Sequence, residues 1–291
     1  MAKVLGIVAS DRRLGNSEVL VKEALFGARE AGAEVELLRL ADYRLENCNG
    51  CMSCAFKSSA GARCRIDDDG PALFDRILAA SGIVIGAPTY FLGPIARIKT
   101  LLDRSMMVAW DEALQAPRAA ATIAVAGLRD WDGLTVPILN ELALVLGGRI
   151  VGSMNAYAPG PGQTLLDPDN VSRAHDLGRR VATGESLPVP AGRCPICRGT
   201  FFTPVGFSPV GNAVVECPLC RVRGEISRRA PGEAGVTRVD VVFDPETVAS
   251  HRWSPENMRR HFVEWVVPTR EMFLRDLQAV KQARKRYQAP V

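Results

Sequence analysis

The sequence predicts an α/β protein: a doubly wound sheet of five parallel strands in the order 2-1-3-4-5, then a small cysteine-knuckle module and a helical tail. Three observations carry this expectation. Apolar runs alternate with helix-like segments over the first 185 residues. The apolar runs are continuous, which marks parallel strands covered on both faces. The pattern then changes at a proline- and glycine-rich stretch, "GESLPVPAGR" (184–193), which divides the chain into units at 1–185 and 186–291.

Each element has its own signal. "KVLGIVA" (3–9) is a short run with β-branched residues, and a helix is expected from Asn16 to Ala31, with Val19, Leu20, Glu23, Ala24 and Gly27 at helical spacing. "EVELLRL" (34–40) is the second strand. A polar cysteine-rich loop follows, then a helix opening at Pro71, since proline suits the first helical turn. "GIVIGAP" (82–88) is the third strand, with a helix over 94–110. "AATIAVAG" (120–127) is the fourth, with a helix over 136–146 that stops at Gly147-Gly148. "RIVGSMNAYA" (149–158) is the fifth, and the helix 169–183 closes the unit. Beyond the linker lie the knuckle module (194–227), a strand (237–243) and a helical tail over 255–287.

Composition excludes several classes. The chain has 291 residues, 47% hydrophobic and 23% charged, an ordinary globular balance. A formal charge of +4 is too modest to imply nucleic acid or membrane as partner. No apolar stretch is long enough to span a bilayer, and the amino terminus does not read as a signal peptide. The expected compartment is the cytoplasm, where clustered thiols bind metals more often than they pair as disulfides.

In an open parallel sheet, ligands bind beyond the carboxyl ends of the strands. After strand one, "SDRRLGNS" (10–17) offers Ser10, Asn16 and Ser17 at a helix amino terminus, and Gly15 permits a tight turn. It lacks the dinucleotide G-x-G-x-x-G pattern and a P-loop lysine, so it suits the single phosphate of a mononucleotide such as FMN, or serves as a plain helix cap. After strand three, "APTYFLGPI" (87–95) supplies Pro88, Thr89, the flat rings of Tyr90 and Phe91, and Gly93 for close backbone approach. After strand four, "GLRDWDG" (127–133) adds Gly127, Asp130 and Gly133. Three suitable loops converge on the switch point of the sheet, where a planar cofactor fits.

The eight cysteines divide into two groups of four. Cys48, Cys51 and Cys54 stand at strict three-residue spacing, with Cys64 following after nine intervening residues. That rhythm is ferredoxin-like: a [4Fe–4S] cubane needs its thiolates fanned out, whereas a tetrahedral zinc draws them to within ~4 Å. Zinc or free redox-active thiols are the alternatives. "CPIC" (194–197) and "CPLC" (217–220) have the spacing of a zinc ribbon on Cys194, Cys197, Cys217 and Cys220. Rubredoxin-type iron uses similar knuckles, but Arg198 and Arg221 stand where rubredoxins have glycine, which tilts the choice to zinc. His175, His251 and His261 lie far apart in sequence and read as helix-surface or packed histidines, Asp103-Arg104 reads as a helix-end pair, and Asp67, Asp68 and Asp69 read as a cap before Pro71.

"SDRRLGNS", "APTYFLGPIARIKTLLDR" and the cysteine loop followed by "DDD" resemble the flavodoxin-like NAD(P)H-dependent FMN reductases and, more narrowly, the iron–sulfur flavoproteins. The resemblance covers about residues 3–183. It implies that Ser10, Arg12, Asn16 and Ser17 hold the FMN phosphate, that Pro88, Thr89, Tyr90, Phe91 and Gly93 border the isoalloxazine, and that the protein is a homodimer or higher oligomer. Two departures stand out: Asp11 replaces a frequent proline, and the interval before Cys64 is longer than usual. The expectation is thus an oxidoreductase using FMN, a [4Fe–4S] cluster and a structural zinc to exchange electrons with a small-molecule or protein partner. The alternatives are an NAD(P)H-dependent FMN or quinone reductase without a cluster, and a redox-sensing binding protein acting through its ribbon.

Overall fold

The computed structural model describes residues 2–56, 64–109, 114, 117–228 and 239–285. Five parallel strands form the central sheet: β1 (Lys3–Val8), β2 (Glu34–Arg39), β3 (Gly82–Tyr90), β5 (Arg118–Ala126) and β6 (Gly148–Tyr157). Their spatial order is β2-β1-β3-β5-β6, which for the parallel strands alone reads 2-1-3-4-5. Every residue of β5 is buried, as expected for a central strand covered on both faces. A two-residue strand β4 (Gly93–Pro94) folds back antiparallel onto the end of β3, a hairpin that periodicity did not reveal.

Helices α1 (Asn16–Glu30) and α5 (Pro168–Thr183) cover one face. They touch at unusual proximity: a Cβ on Gly178 would lie 1.6 Å from the Ala24 carbonyl oxygen, so only glycine fits there. Helices α2 (Gly70–Leu78), α3 (Ala96–Arg104) and α4 (Thr135–Val145) cover the other face. The helix expected over 94–110 ends sooner, at Arg104, where a 3-10 turn begins and the Ser105 hydroxyl donates to the Leu102 carbonyl; residue 110 lies outside the described residues.

Beyond the linker, β7 (Thr203–Phe207), β8 (Ala213–Glu216), β9 (Arg223–Arg228) and β10 (Val239–Phe243) make a four-stranded antiparallel sheet. The strand expected at 237–243 therefore belongs to the knuckle module; its first two residues lie outside the described set. This sheet is not detached, because Cys194, Cys197, Cys217, Cys220 and Val222 pack in the same buried cluster as Ile98, Leu139 and Leu142 of α3 and α4. The chain ends in α6 (Pro245–Ala249), α7 (Pro255–His261), a π turn (Phe262–Val266) and α8 (Val267–Arg284), with residues from 286 onward outside the described set.

Candidate functional site

The loop after β1 packs on the amino end of α1. Ser10 and Ser17 are buried, Arg12 is exposed, and Ser10 Oγ accepts from the Arg12 amide at 3.2 Å. Asn16 is engaged elsewhere: its Nδ2 donates to the Ala158 and Gly160 carbonyls at 3.0 and 2.9 Å, and its Oδ1 accepts from the Thr164 amide at 3.2 Å. It therefore pins the loop after β6, which sequence reasoning had not connected to this edge. A Cβ on Gly15 would lie 3.2 Å from Arg12 Cβ and 3.6 Å from Ser10 Oγ, so glycine keeps a cradle open at the helix amino terminus. Glu18 is the one acidic group in that first turn. Burial would raise its pKa, but hydrogen bonds from Lys22 and the Leu14 amide, with the Arg39 charge, hold it below the ordinary carboxylate range. Arg39 and Lys22 neutralise it, so it does not oppose an anion in the cradle. These residues fit a terminal phosphate.

The β3–β4 hairpin turns on Phe91 and Leu92, both at positive φ (47° and 68°). Turns of this kind select Asn or Gly; forcing two bulky side chains into them costs about 1–2 kcal/mol each. Strain of this sort concentrates where backbone serves a ligand. It holds Phe91 94% exposed beside exposed Tyr90, and Gly93 has open space where a Cβ would be. Thr89 Oγ1 donates to Thr135 Oγ1 at 2.8 Å, tying β3 to the head of α4. In the next loop Gly127, Asp130 and Gly133 are exposed, and Asp132 accepts from Asn155 Nδ2 at 2.5 Å and from the Tyr157 hydroxyl at 2.8 Å. Burial, then Asp132, raises the Tyr157 pKa, so the phenol stays protonated and donating. The sequence contained these residues, but nothing local joined Asp132 to Asn155 and Tyr157.

Cys48 and Cys51 are exposed, and Cys54 and Cys64 are half-buried. Residues 57–63, including Gly61, lie outside the described set. The Gly50 amide donates to Cys48 Sγ at 3.4 Å and the Ile66 amide to Cys64 Sγ at 3.5 Å. A hydrogen bond with Ser53 lowers the Cys51 pKa; burial and the neighbouring Cys64 raise that of Cys54. Amide and hydroxyl donors aimed at sulfur suit thiolates that ligate a cluster. The base of the loop is clasped by a buried ion pair. Arg104 (1% exposed) donates to both Asp68 carboxylate oxygens (0%) at 2.6 and 2.9 Å, and to the Glu46 carbonyl at 2.7 Å. Asp68 also accepts from the Glu46 and Gly70 amides. The expected Asp103-Arg104 pair is thus corrected: Asp103 pairs with Lys99, while Arg104 turns inward because Asp68 and a carbonyl satisfy it. Of the acidic run, Asp68 alone bonds the Gly70 amide at the start of α2. Asp69 instead accepts from the Arg44 amide.

The second quartet is compact. The four thiol sulfurs lie within 4.8 Å of one another, all buried, the one set of three or more potential metal ligands this tight among the described residues. Hydrogen bonds among the thiols pull Cys194 and Cys217 below the ordinary thiol pKa and push Cys197 and Cys220 above it. A divalent ion relieves that competition by favouring thiolate at every position. Each knuckle closes with a backbone bond, Arg198 amide to Cys194 carbonyl and Arg221 amide to Cys217 carbonyl, both 2.8 Å. Both arginines are at positive φ, 56° and 61°, the conformation glycine ordinarily supplies. Arg198 compensates by donating to the carbonyls of Leu187, Pro188 and Ile150, anchoring the knuckle to linker and sheet. From the other side Asn140 Nδ2 donates to the Cys197 carbonyl at 2.7 Å, while its Oδ1 accepts from Thr122 and Ser153.

Known proteins share this architecture. A family model described as NADPH-dependent FMN reductase matches residues 2–157. The chain belongs to that family. Within it, the chain is similar to an iron–sulfur flavoprotein of Methanocaldococcus jannaschii, 31% identical over 188 residues, which cover 62% of this chain and 95% of the relative. A flavone synthase of Aspergillus candidus is 28% identical over 265 residues, covering 80% of this chain and 79% of its own. A solved structure described as a flavone reductase aligns over 99% of this chain and 98% of its own, with a TM-score of 0.71 at 22% identity. That likeness shows a shared fold. This chain is an FMN-dependent oxidoreductase with a flavodoxin-like fold. Among its described residues no helix is long and apolar enough to cross a membrane.

Proposed function

We propose that this reductase pairs FMN with a [4Fe–4S] cluster and a structural zinc, and passes electrons between a soluble donor and a small-molecule or protein acceptor. The observation that carries this is the contrast between the two cysteine quartets: one compact and buried, the other open at the flavin edge. Cys194, Cys197, Cys217 and Cys220 would hold zinc, and Cys48, Cys51, Cys54 and Cys64 the cluster. Ser10, Arg12 and Ser17, with the amino end of α1, would bind the FMN phosphate, and Asn16 orients the loop that closes beside it. Pro88, Thr89, Tyr90, Phe91 and Gly93 would border the ring on one side, Gly127, Asp130 and Gly133 on the other. Bound FMN supplies hydride and single-electron chemistry, and a cluster supplies single-electron relay. The chain's own task is to place and shield: the strained hairpin presents flat surface, and the Arg104–Asp68 clasp fixes both ends of the cysteine loop. Functionally the units divide as 1–185, carrying the redox groups, and 186–291.

Anaerobic purification tests this by visible spectrum and by iron, acid-labile sulfide and zinc per chain. FMN absorbance with about four irons and one zinc is expected. A yellow protein without sulfide supports a reductase without a cluster, and zinc without flavin supports a sensing role. Loss of iron on Cys194→Ser but not on Cys51→Ser would reverse the assignment of the two quartets.

A second reading concerns the acceptor. The flavone synthase alignment covers 80% of the chain and so extends past residue 185 into the C-terminal module. That span favours a planar aromatic enone and its saturated form as the redox couple exchanged with the flavin. Reoxidation of the anaerobically reduced protein by flavone, and not by a saturated analogue, tests it.

A further inference from the structure

A cavity of about 520 Å³ lies between the edge strand β6 and the ribbon. That is the size of a small-molecule site and far more than a single ion needs. One end is the flavin-edge loop at Asp132 and Gly133, beside Tyr157 at the carboxyl end of β6. The other is the first knuckle, where Arg198 Nε donates to the Ile150 carbonyl near the amino end of the same strand. Val136, Pro137, Pro188, Pro190 and Phe201 contribute apolar wall.

The two ends have different unmet needs. At the flavin end the Asp132 carboxylate can only accept, so Asn155 must turn its Nδ2 toward it, and the Tyr157 hydroxyl donates to the same oxygen. Asn155 also lines the cavity, and its Oδ1 is left buried with no donor among the described residues. A buried acceptor of this kind is costly until something donates to it. At the ribbon end Arg193 and Arg198 line the cavity, and Arg149 is near enough to act on the Arg198 charge. Among the described residues none of these three forms an ion pair. Arg198 donates to three carbonyls, Arg193 to the Arg198 carbonyl at 3.2 Å, and Arg149 to the Ser186 hydroxyl and the Gly184 carbonyl. Carbonyls satisfy N–H groups and leave the positive charge in place. Arg173, which also lines the cavity, adds a fourth cation, paired with Asp169 at 3.4 Å. Asp132 is the one lining carboxylate among the described residues, and it stands at the opposite end.

We propose that this cavity binds a hydroxylated aromatic anion, its hydroxyl donating to Asn155 Oδ1 and its acid group facing Arg193 and Arg198. A flat apolar body suits walls made of prolines and a phenylalanine, with a few polar groups at the ends to fix its direction. A lone phosphate or sulfate would leave Asn155 without a donor. A neutral flavone would leave the arginines without a counter-charge. Only a molecule with both ends meets both needs, which narrows the ligand class beyond an aromatic enone. That the occupant reaches the flavin rests on the flavin assignment above; the binding itself does not.

Isothermal titration calorimetry on the purified full chain tests it, with 4-hydroxycinnamate as probe. Cinnamate removes the hydroxyl, and methyl 4-hydroxycinnamate removes the charge. The probe is expected to bind saturably, and each analogue about tenfold or more weakly, the loss of one buried polar contact. Arg193→Gln, at an exposed position, should weaken the probe about tenfold and leave the methyl ester unchanged. Asn155→Ala should weaken the probe by a similar factor and leave cinnamate unchanged. Far-UV circular dichroism checks that both variants fold, and Arg193→Gln with the ester keeps the test intact if Asn155→Ala does not. Equal binding of all three compounds overturns the proposal, as does a variant that weakens probe and analogue alike. No saturable binding of the probe, including a cavity that takes NADP⁺ in its place, overturns it too. None of these readouts is activity or flavin absorbance, so a failed flavin assignment would leave them readable.

Discussion

Buried charge and backbone strain meet at a few residues. Removing one partner of a fully buried ion pair leaves the other uncompensated and costs about 3–5 kcal/mol. Asp68→Asn is therefore expected to lower stability by that order in urea unfolding and to reduce iron content, because the pair fixes both ends of the cysteine loop. Burial would raise the Asp68 pKa, but bonds from Arg104 and two amides hold it below the usual range. Its contribution is thus full above the ordinary carboxylate pKa and lost as pH falls through the depressed one. The two knuckle arginines form a natural contrast. Replacing either by glycine relieves positive-φ strain of about 1 kcal/mol. Arg198→Gly also orphans three carbonyls and should lose about 2 kcal/mol net. Arg221 is exposed, with Glu216 at 3.5 Å, so Arg221→Gly should stay within about 0.5 kcal/mol of wild type. Thermal unfolding of the two variants decides.

Between elements, α1 and α5 are held together by glycine-permitted contact and by His175, which meets Glu23 at 2.8 Å and Glu30 at 3.1 Å. The Glu23 hydrogen bond, opposed by burial and aided by Glu30, raises the His175 pKa above 6.5. A raised histidine favours the fold fully below its unfolded pKa and loses that contribution as pH rises through its folded value. The melting temperature of His175→Gln should therefore fall below wild type in mildly acidic buffer, and the gap should narrow as pH rises. A gap independent of pH would show that packing alone is at work. At this scale the sequence was nearly complete for the central sheet, because helical and strand periodicities placed each of its parallel strands within a few residues, whereas β7, β8 and β9 were read only as a knuckle module. The hairpin escaped because Phe91-Leu92 is not turn chemistry, and the early end of α3 because Ser105 breaks the helix through a local side-chain bond.

Across the whole molecule, the second quartet is continuous with the core of the sheet's α2–α4 face, so a metal held there would be a structural element of the entire chain. Stripping it with a thiol-specific reagent and chelator is expected to lower the melting temperature of the whole protein, in one transition, rather than to release a separate module. Two transitions, with the first confined to residues 186–291 by limited proteolysis, would contradict that coupling.

Spacing and periodicity made the sheet order, the carboxyl-edge loops and the compact second cysteine quartet legible, because each depends on residues within one turn, strand or knuckle. They could not show Arg104 reaching Asp68, Asn16 holding the loop after β6, or Asn140 and Arg198 gripping the ribbon. Each of these joins groups 36 to 148 residues apart, or pins a carbonyl that no pattern marks. A carbonyl is present at every residue, so which one a buried donor satisfies is settled by packing. Helix α8 poses the same problem: its apolar residues read as an ordinary helical tail until the fold leaves Met272, Phe273 and Leu274 facing outward.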